Sequence, residues 1–236
     1  MLFQSWRFVA KLDPERPYDE QLLKQVTKRS ALFDRTGPGS YPFDAVLLGG
    51  TWGVNEANAT DLTLALRRKR IRIPLWQEIS DADGLAFGVD GYLVPIVLNS
   101  GDVDYLVRAH VQAIKKYGEA IPWSYVLPIG YIVMNDDCAV ARRTKAEVPR
   151  DIQDVCAYAS YAVKMCGLKI LYVEYSGVLG DPEVPKAIKM RFPDVQVFYG
   201  GGISNPQDID RFQSVSSTVV VGNALYDGAF SSVCHV

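Results

Sequence analysis

The sequence predicts an α/β fold, a closed (β/α)8 barrel of the TIM type, and three observations predict it. Eight short β-rich runs alternate with amphipathic segments along a chain of 236 residues. Several of these runs are near-continuous apolar stretches, as parallel strands buried on both faces require. Alternation of this kind implies right-handed crossover units around a parallel sheet. Eight units in a chain of this length favour closure over an open, doubly wound sheet.

The elements follow in order. Strands are expected at Trp6–Leu12, Ala45–Gly49, Ile71–Trp76, Gly91–Leu98, Leu127–Met134, Lys169–Tyr175, Gln196–Tyr199 and Thr218–Val221. Helical spacing of apolar residues covers Asp19–Lys28, Ala59–Arg68, Val103–Lys116, Asp151–Met165, Glu183–Met190 and Gln207–Gln213. Asp102 caps one helix, and Asn205-Pro206 supplies a cap followed by proline in the first turn. The stretch PLWQEISDADGLAFGVDG is short and rich in Asp and Gly, so the third unit is expected to lack its helix. After the eighth strand, Ala224–Val236 leaves little for a final helix. No repeat, low-complexity segment or linker interrupts the pattern, and residues 1–236 read as one domain.

Composition narrows the partners. Hydrophobic residues make up 48% and charged residues 22%, enough apolar material for a sizeable core. A net charge of −2 and a pI near 5.7 supply no global basic field for nucleic acid. The run Arg67-Arg68-Lys69-Arg70 reads as the solvated, dipole-favoured end of a helix. Cys138, Cys156, Cys166 and Cys234 show no CxxC pairing, so neither a zinc site nor a disulfide framework is indicated. The N-terminus MLFQSWRFVAKLDPERP has no long apolar core, and no apolar run reaches the roughly 18 residues of a membrane span. The expectation is a cytoplasmic protein, with transient contact at a membrane surface if its substrate is a lipid.

In such barrels the active site lies where strands end and βα loops begin. Lys11-Leu12-Asp13, Gly49-Gly50-Thr51, Asn99-Ser100, Asn135-Asp136-Asp137, Glu174-Tyr175-Ser176-Gly177, Gly200-Gly201-Gly202 and Gly222-Asn223 all stand at expected strand ends. The last two clusters belong to the seventh and eighth strands, whose loops frequently bind phosphate through backbone N–H groups. Glycines there let phosphate oxygens approach without a Cβ in the way; the competing reading of GGG is a tight strand-to-helix turn. Lys11 and Asp13 share one face of their strand, the lysine suited to an anionic substrate and the carboxylate to Mg²⁺, or the two to a structural ion pair. Glu174 interrupts the apolar run LYVEYSG with an inward carboxylate, costly unless paired or functional. Its competing reading is a salt bridge to Lys11. His110 sits mid-helix and His235 near the end of the sequence, so histidine acid–base chemistry is not expected. Trp76, Phe87, Tyr92, Trp123 and Tyr125 are candidates for core or, together, for an apolar groove.

KLDP, LLGGT, VPIVLNS, GYIVMNDDCAVARRTKA, YVEYSG, FYGGGI and VVGNA occur in the order seen in the geranylgeranylglyceryl phosphate synthase family, which includes the bacterial heptaprenylglyceryl phosphate synthases. The resemblance spans nearly the whole chain, and MNDDCAVARRTKA is similar to the archaeal-type branch, with Asp136 in place of its usual proline. It implies a modified barrel lacking the third helix, and transfer of a polyprenyl group, geranylgeranyl foremost, from its diphosphate to the 3-hydroxyl of sn-glycerol 1-phosphate. It also implies Mg²⁺ at Asp13 and Thr51. The glycerol-phosphate site it implies comprises Lys11, Tyr172, Val173, Glu174, Tyr175, Ser176, Gly177, Gly201, Gly202, Gly222 and Asn223. Glu174 fits the general base, and family members are commonly dimers. The segment SALFDRTGPGSYPF and the short tail SSVCHV depart from the family pattern. Three other readings stay open: a heptaprenyl (longer-chain) glyceryl phosphate synthase, a phosphosugar isomerase or aldolase on the same barrel, and a non-catalytic phosphometabolite-binding subunit.

Overall fold

The computed structural model describes residues 2–27 and 43–227. Apart from Phe43, the segment SALFDRTGPGSYPF lies outside the described residues, as do the tail SSVCHV, Cys234 and His235. Eight parallel strands close a barrel in sequence order: β1 (Phe8–Leu12), β2 (Ala45–Leu48), β3 (Leu75–Glu78), β4 (Gly91–Val97), β5 (Val126–Val133), β6 (Ile170–Glu174), β7 (Gln196–Gly200) and β8 (Thr218–Val221). β8 pairs with β1, Val9 opposite Val220, to complete the ring. Around it run α1 (Glu20–Thr27), α2 (Glu56–Arg68), α3 (Arg108–Tyr117), α4 (Ala139–Thr144), α5 (Ile152–Ser160), α6 (Glu183–Arg191), α7 (Pro206–Gln213) and a one-turn α8 (Asn223–Tyr226). No described helix is long and apolar enough to cross a membrane.

Side-chain alternation sorts two cores. Outward residues such as Leu12, Leu48, Val173, Tyr199 and Val221 pack beneath the helices, where Tyr199 stacks on Phe212 of α7 at 3.7 Å. Inward residues such as Val9, Leu47, Leu93, Ile129, Ile170 and Val220 fill the barrel. Its floor is aromatic. Trp6 meets Trp76 edge-on at 5.7 Å and Phe198 at 6.4 Å, and the Thr218 hydroxyl donates to the Trp6 carbonyl at 2.7 Å. Trp6 therefore closes the floor below β1 and is not part of that strand. Trp6→Ala is expected to cost about 3–5 kcal/mol of stability, measured by urea denaturation.

β3 begins four residues later than the sequence pattern suggests. Arg70 has φ 56°, and Pro74 has no N–H for a ladder, so pairing starts at Leu75, whose N–H is held by Asp90 Oδ2 at 2.8 Å. The shift places Glu78 inside the barrel. Between β3 and β4 there is no helix, as expected. The outward, fully buried Gln77 fastens a strap instead: its amide donates to the Gly84 carbonyl and its oxygen accepts the Ala86 N–H at 2.8 Å. Asn205 caps α7 as expected, while Asp102 caps a short 3₁₀ turn, Val103–Tyr105, that precedes α3. The basic run ends α2, with Arg67 paired to Asp90.

Candidate active site

β1, β3, β5 and β6 each contribute a polar inward side chain near their C-terminal ends, above the aromatic floor. Lys11 Nζ donates to Glu78 Oε1 at 2.8 Å, and Tyr131 Oη donates to Glu78 Oε2. Tyr172 stacks on Tyr131 at 4.5 Å, with Lys11 Nζ 5.6 Å from the Tyr172 ring centre. Gly49 is glycine for a packing reason: a Cβ there would stand 3.0 Å from Glu78 Cβ and 3.2 Å from Lys11 Cε. Gly200 does the same for Tyr172, whose hydroxyl lies 2.0 Å from where a Cβ would be. The Lys11 ion pair thus exists, but its partner is Glu78 and not Glu174.

Glu174 is 3% exposed, and its Oε1 accepts the Ser176 N–H at 2.7 Å. Burial pushes its pKa up, Lys11 opposes, and the negative charge of Glu78 pushes it up again, for a net rise. Burial also works against the Lys11 charge, but Glu78 and Glu174 outweigh it and raise the lysine pKa. Burial, with Glu78 second, holds Tyr131 well above the ordinary phenol value.

The other sequence-derived residues divide. Val173 and Tyr175 point outward into the helix layer, and the Tyr175 N–H is engaged by the Gly200 carbonyl at 2.7 Å. Their side chains therefore face away from the mouth, as strand alternation requires, and leave only their backbone on that side. Gly201 and Gly202 take positive φ, 145° and 60°, and lie against the loop after β6. Gly177 also has positive φ, 91°. Within the described chain the N–H groups of Gly201, Gly202, Gly222 and Asn223 donate to no other backbone group. The Asn223 side-chain oxygen is engaged by Arg16 Nη1 at 2.9 Å, and Arg16 lies 3.8 Å over the Tyr226 ring.

Asp13 is half-buried; burial raises its pKa against the pull of the Glu15 N–H and Lys11. Its carboxylate packs where a side chain on Gly50 would stand, 2.2 Å from Oδ1, so glycine at that position leaves the room that the Asp13 carboxylate occupies. Among the described residues no group of three or more His, Cys, Asp or Glu gathers around a common point.

Three residues went unnoticed in the sequence. Glu78 followed a strand placed too early. Arg16 had no neighbour in sequence to mark it. Arg143, on the six-residue α4, donates to the Thr51 carbonyl, to Tyr105 Oη at 3.1 Å and to the Ser80 carbonyl at 3.3 Å, tying together the loops after β2, β3 and β4. The groove aromatics are dispersed. Trp76 belongs to the floor, whereas Tyr92 and Tyr125 line a pocket of about 690 Å³ at the N-terminal ends of β3, β4 and β5. Apolar side chains line up elsewhere, at Val103, Val107, Val111 and Ile114, each 40–55% exposed along one side of α3 and the turn before it. His110 is fastened to the Pro95 carbonyl at 2.9 Å, away from the charged cluster.

These features define a (β/α)8 barrel whose mouth carries two buried carboxylates, one lysine and a ring of glycine backbone. The chain belongs to the PcrB family, whose model matches residues 1–234. It is 39% identical over 224 residues to the heptaprenylglyceryl phosphate synthase of Geobacillus kaustophilus, covering 95% of this chain and 88% of that relative. It is 38% identical over 234 residues to the same enzyme of Brevibacillus brevis, covering 99% and 95%. Its fold is similar to that of (S)-3-O-geranylgeranylglyceryl phosphate synthase from Thermoplasma acidophilum, solved in complex with substrate sn-glycerol-1-phosphate. That match has a TM-score of 0.78 at 21% identity and covers 98% of this chain and 92% of the other.

Proposed function

We propose that the protein is a prenyltransferase that joins a polyprenyl diphosphate to the 3-hydroxyl of sn-glycerol 1-phosphate. The observation that carries this is Glu174, a buried carboxylate at the mouth with a raised pKa and, among the described residues, no cation hydrogen-bonded to it. It stands one ladder position from the glycine loop, opposite Gly200. Backbone N–H groups at Gly201, Gly202, Gly222 and Asn223 suit a phosphate, with Lys11 and Arg16 adding positive charge. A phosphate held there would fix the glycerol for attack, and orientation supplies much of the rate.

In the step itself, the glycerol oxygen forms a bond to C1 of the prenyl group as the C1–diphosphate oxygen bond breaks. The hydroxyl proton passes to Glu174. Asp13 and Thr51 offer the hard oxygen donors that would hold a small cation such as Mg²⁺. Mg²⁺ bound there would neutralise charge on the leaving diphosphate. The exposed stripe Val103, Val107, Val111 and Ile114 suits the hydrocarbon tail. α3 is braced against the strap by Tyr117 Oη, which donates to the Ala82 carbonyl at 2.7 Å.

For chain length, identities of 38–39% to bacterial heptaprenylglyceryl phosphate synthases, against 21% for the archaeal enzyme, favour heptaprenyl over geranylgeranyl. A series from farnesyl to heptaprenyl diphosphate, with Mg²⁺ and sn-glycerol 1-phosphate, tests both levels. The expected result is an ether product, with kcat/KM for heptaprenyl at least about tenfold above geranylgeranyl, a difference of ~1.4 kcal/mol. The reverse order would restore geranylgeranyl as substrate, and no product with any chain would end the enzymatic reading.

A further inference from the structure

Two carboxylates and one lysine share the upper interior of the barrel, so the lysine can neutralise only one of them. Hydrogen bonding decides which. Lys11 is bonded to Glu78 at 2.8 Å, and Tyr131 supplies the other Glu78 oxygen. Gly49 leaves the room that this pair occupies. Among the described residues Glu174 is hydrogen-bonded by Ser176 and by no cation. The lysine is near enough to act on Glu174 through space, yet no hydrogen bond joins them.

From this we infer that Glu78 is a positioning residue for the prenyl transfer: it draws the Lys11 ammonium and the Tyr131 hydroxyl to itself and so keeps Glu174 available as the proton acceptor. The inference rests on Glu174 being the base, as proposed above. Without Glu78, the Lys11 ammonium has one carboxylate left to serve, and turning to Glu174 it would weaken that group as a base. Glu78 itself touches no substrate atom in this scheme. The ionisable groups acting on Glu174 are Lys11 on β1, Glu78 on β3, Tyr131 on β5, Tyr172 on β6, Tyr199 on β7 and Cys138 ahead of α4. Of these, the tyrosines and Cys138 have pKa values above their ordinary ones and stay neutral below them. Lys11 and Glu78 therefore set the balance.

Glu78→Gln tests the inference through the pH profile of kcat. The acidic limb is expected to move to lower pH by about one unit, as for a carboxylate gaining a cation. The plateau should fall about tenfold, with KM for glycerol phosphate changed much less. A limb that stays in place, or moves upward, would overturn the role. If Glu78→Gln gives no cooperative melt, the apolar pair Lys11→Met/Glu78→Met replaces it, since a buried ion pair is often exchanged for apolar residues without loss of fold. With both charges gone the limb should stay within about half a unit of wild type; a rise of a unit or more would show that Lys11 alone matters and overturn the inference. A wild-type protein without prenyl transfer would sink the functional reading instead. Glu174 is then titrated by its infrared carboxyl band, taken as the difference from Glu174→Gln, and Glu78→Gln must still lower its midpoint.

Discussion

Glu174→Gln is expected to lower kcat by about 10²- to 10⁴-fold while sn-glycerol 1-phosphate still binds, as read by calorimetry. The amide keeps the shape of the side chain and an oxygen to accept the Ser176 N–H, so the glycine loop and the barrel wall have no reason to shift. What disappears is the capacity to take the hydroxyl proton. In the wild type the rate should climb as pH rises through the raised Glu174 pKa, because only the carboxylate accepts a proton. In the variant that limb should vanish. Stability runs in the opposite direction. A glutamate whose folded pKa stands above its unfolded value favours the fold while protonated, and that contribution is lost as pH rises through the folded pKa. At neutral pH the glutamine variant should therefore melt no lower than the wild type. Retention of activity within tenfold would remove Glu174 from the base role, and a large drop in melting temperature would mean the loss of rate came from the fold.

The barrel was legible because its signals are periodic. Apolar strands alternate with amphipathic helices, and parity alone put Glu174 inside with Val173 and Tyr175 outside, where the structure has them. The third unit shows where periodicity stops. Ile71-Arg72-Ile73 alternates like a strand, yet Pro74 bars the ladder, and the register moves on to Leu75–Glu78. Glu78 then looked like the start of a loop, although it is as buried as a core residue, at 6% exposed. Arg143 lies on a helix of six residues, too short to reveal a face, and two of its partners are carbonyls more than sixty positions away. Such contacts depend on closure of the barrel and leave no mark on the local sequence. Aromatic residues stand out in a sequence as candidates for an apolar groove. The exposed stripe is aliphatic, and its spacing matches that of an ordinary helix face, so only the absence of buried residues in α3 sets it apart.

Gly202→Ala is expected to combine the second large loss of function with a loss of about 2–4 kcal/mol of stability. Gly202 has φ 60°, the left-handed region, and an added Cβ would stand 2.2 Å from Leu179 N and 2.4 Å from Val178 C. Those neighbours are backbone atoms and cannot rotate away, so the loop after β6 must move. That loop carries Ser176, whose N–H holds Glu174, and it meets the glycine loop that offers N–H groups to phosphate. One methyl group therefore acts on the base and the anion site together. Glycerol-phosphate affinity should drop at least about tenfold, ~1.4 kcal/mol, and turnover further still. Gly118→Ala is the control: φ there is 52°, but nothing lies within 4 Å of the added carbon. It should cost only the backbone strain, about 1–3 kcal/mol, with binding unchanged. If the two variants melt alike and bind glycerol phosphate alike, the close approach at Gly202 has no part in the site, and the second glycine of the loop would serve the turn alone.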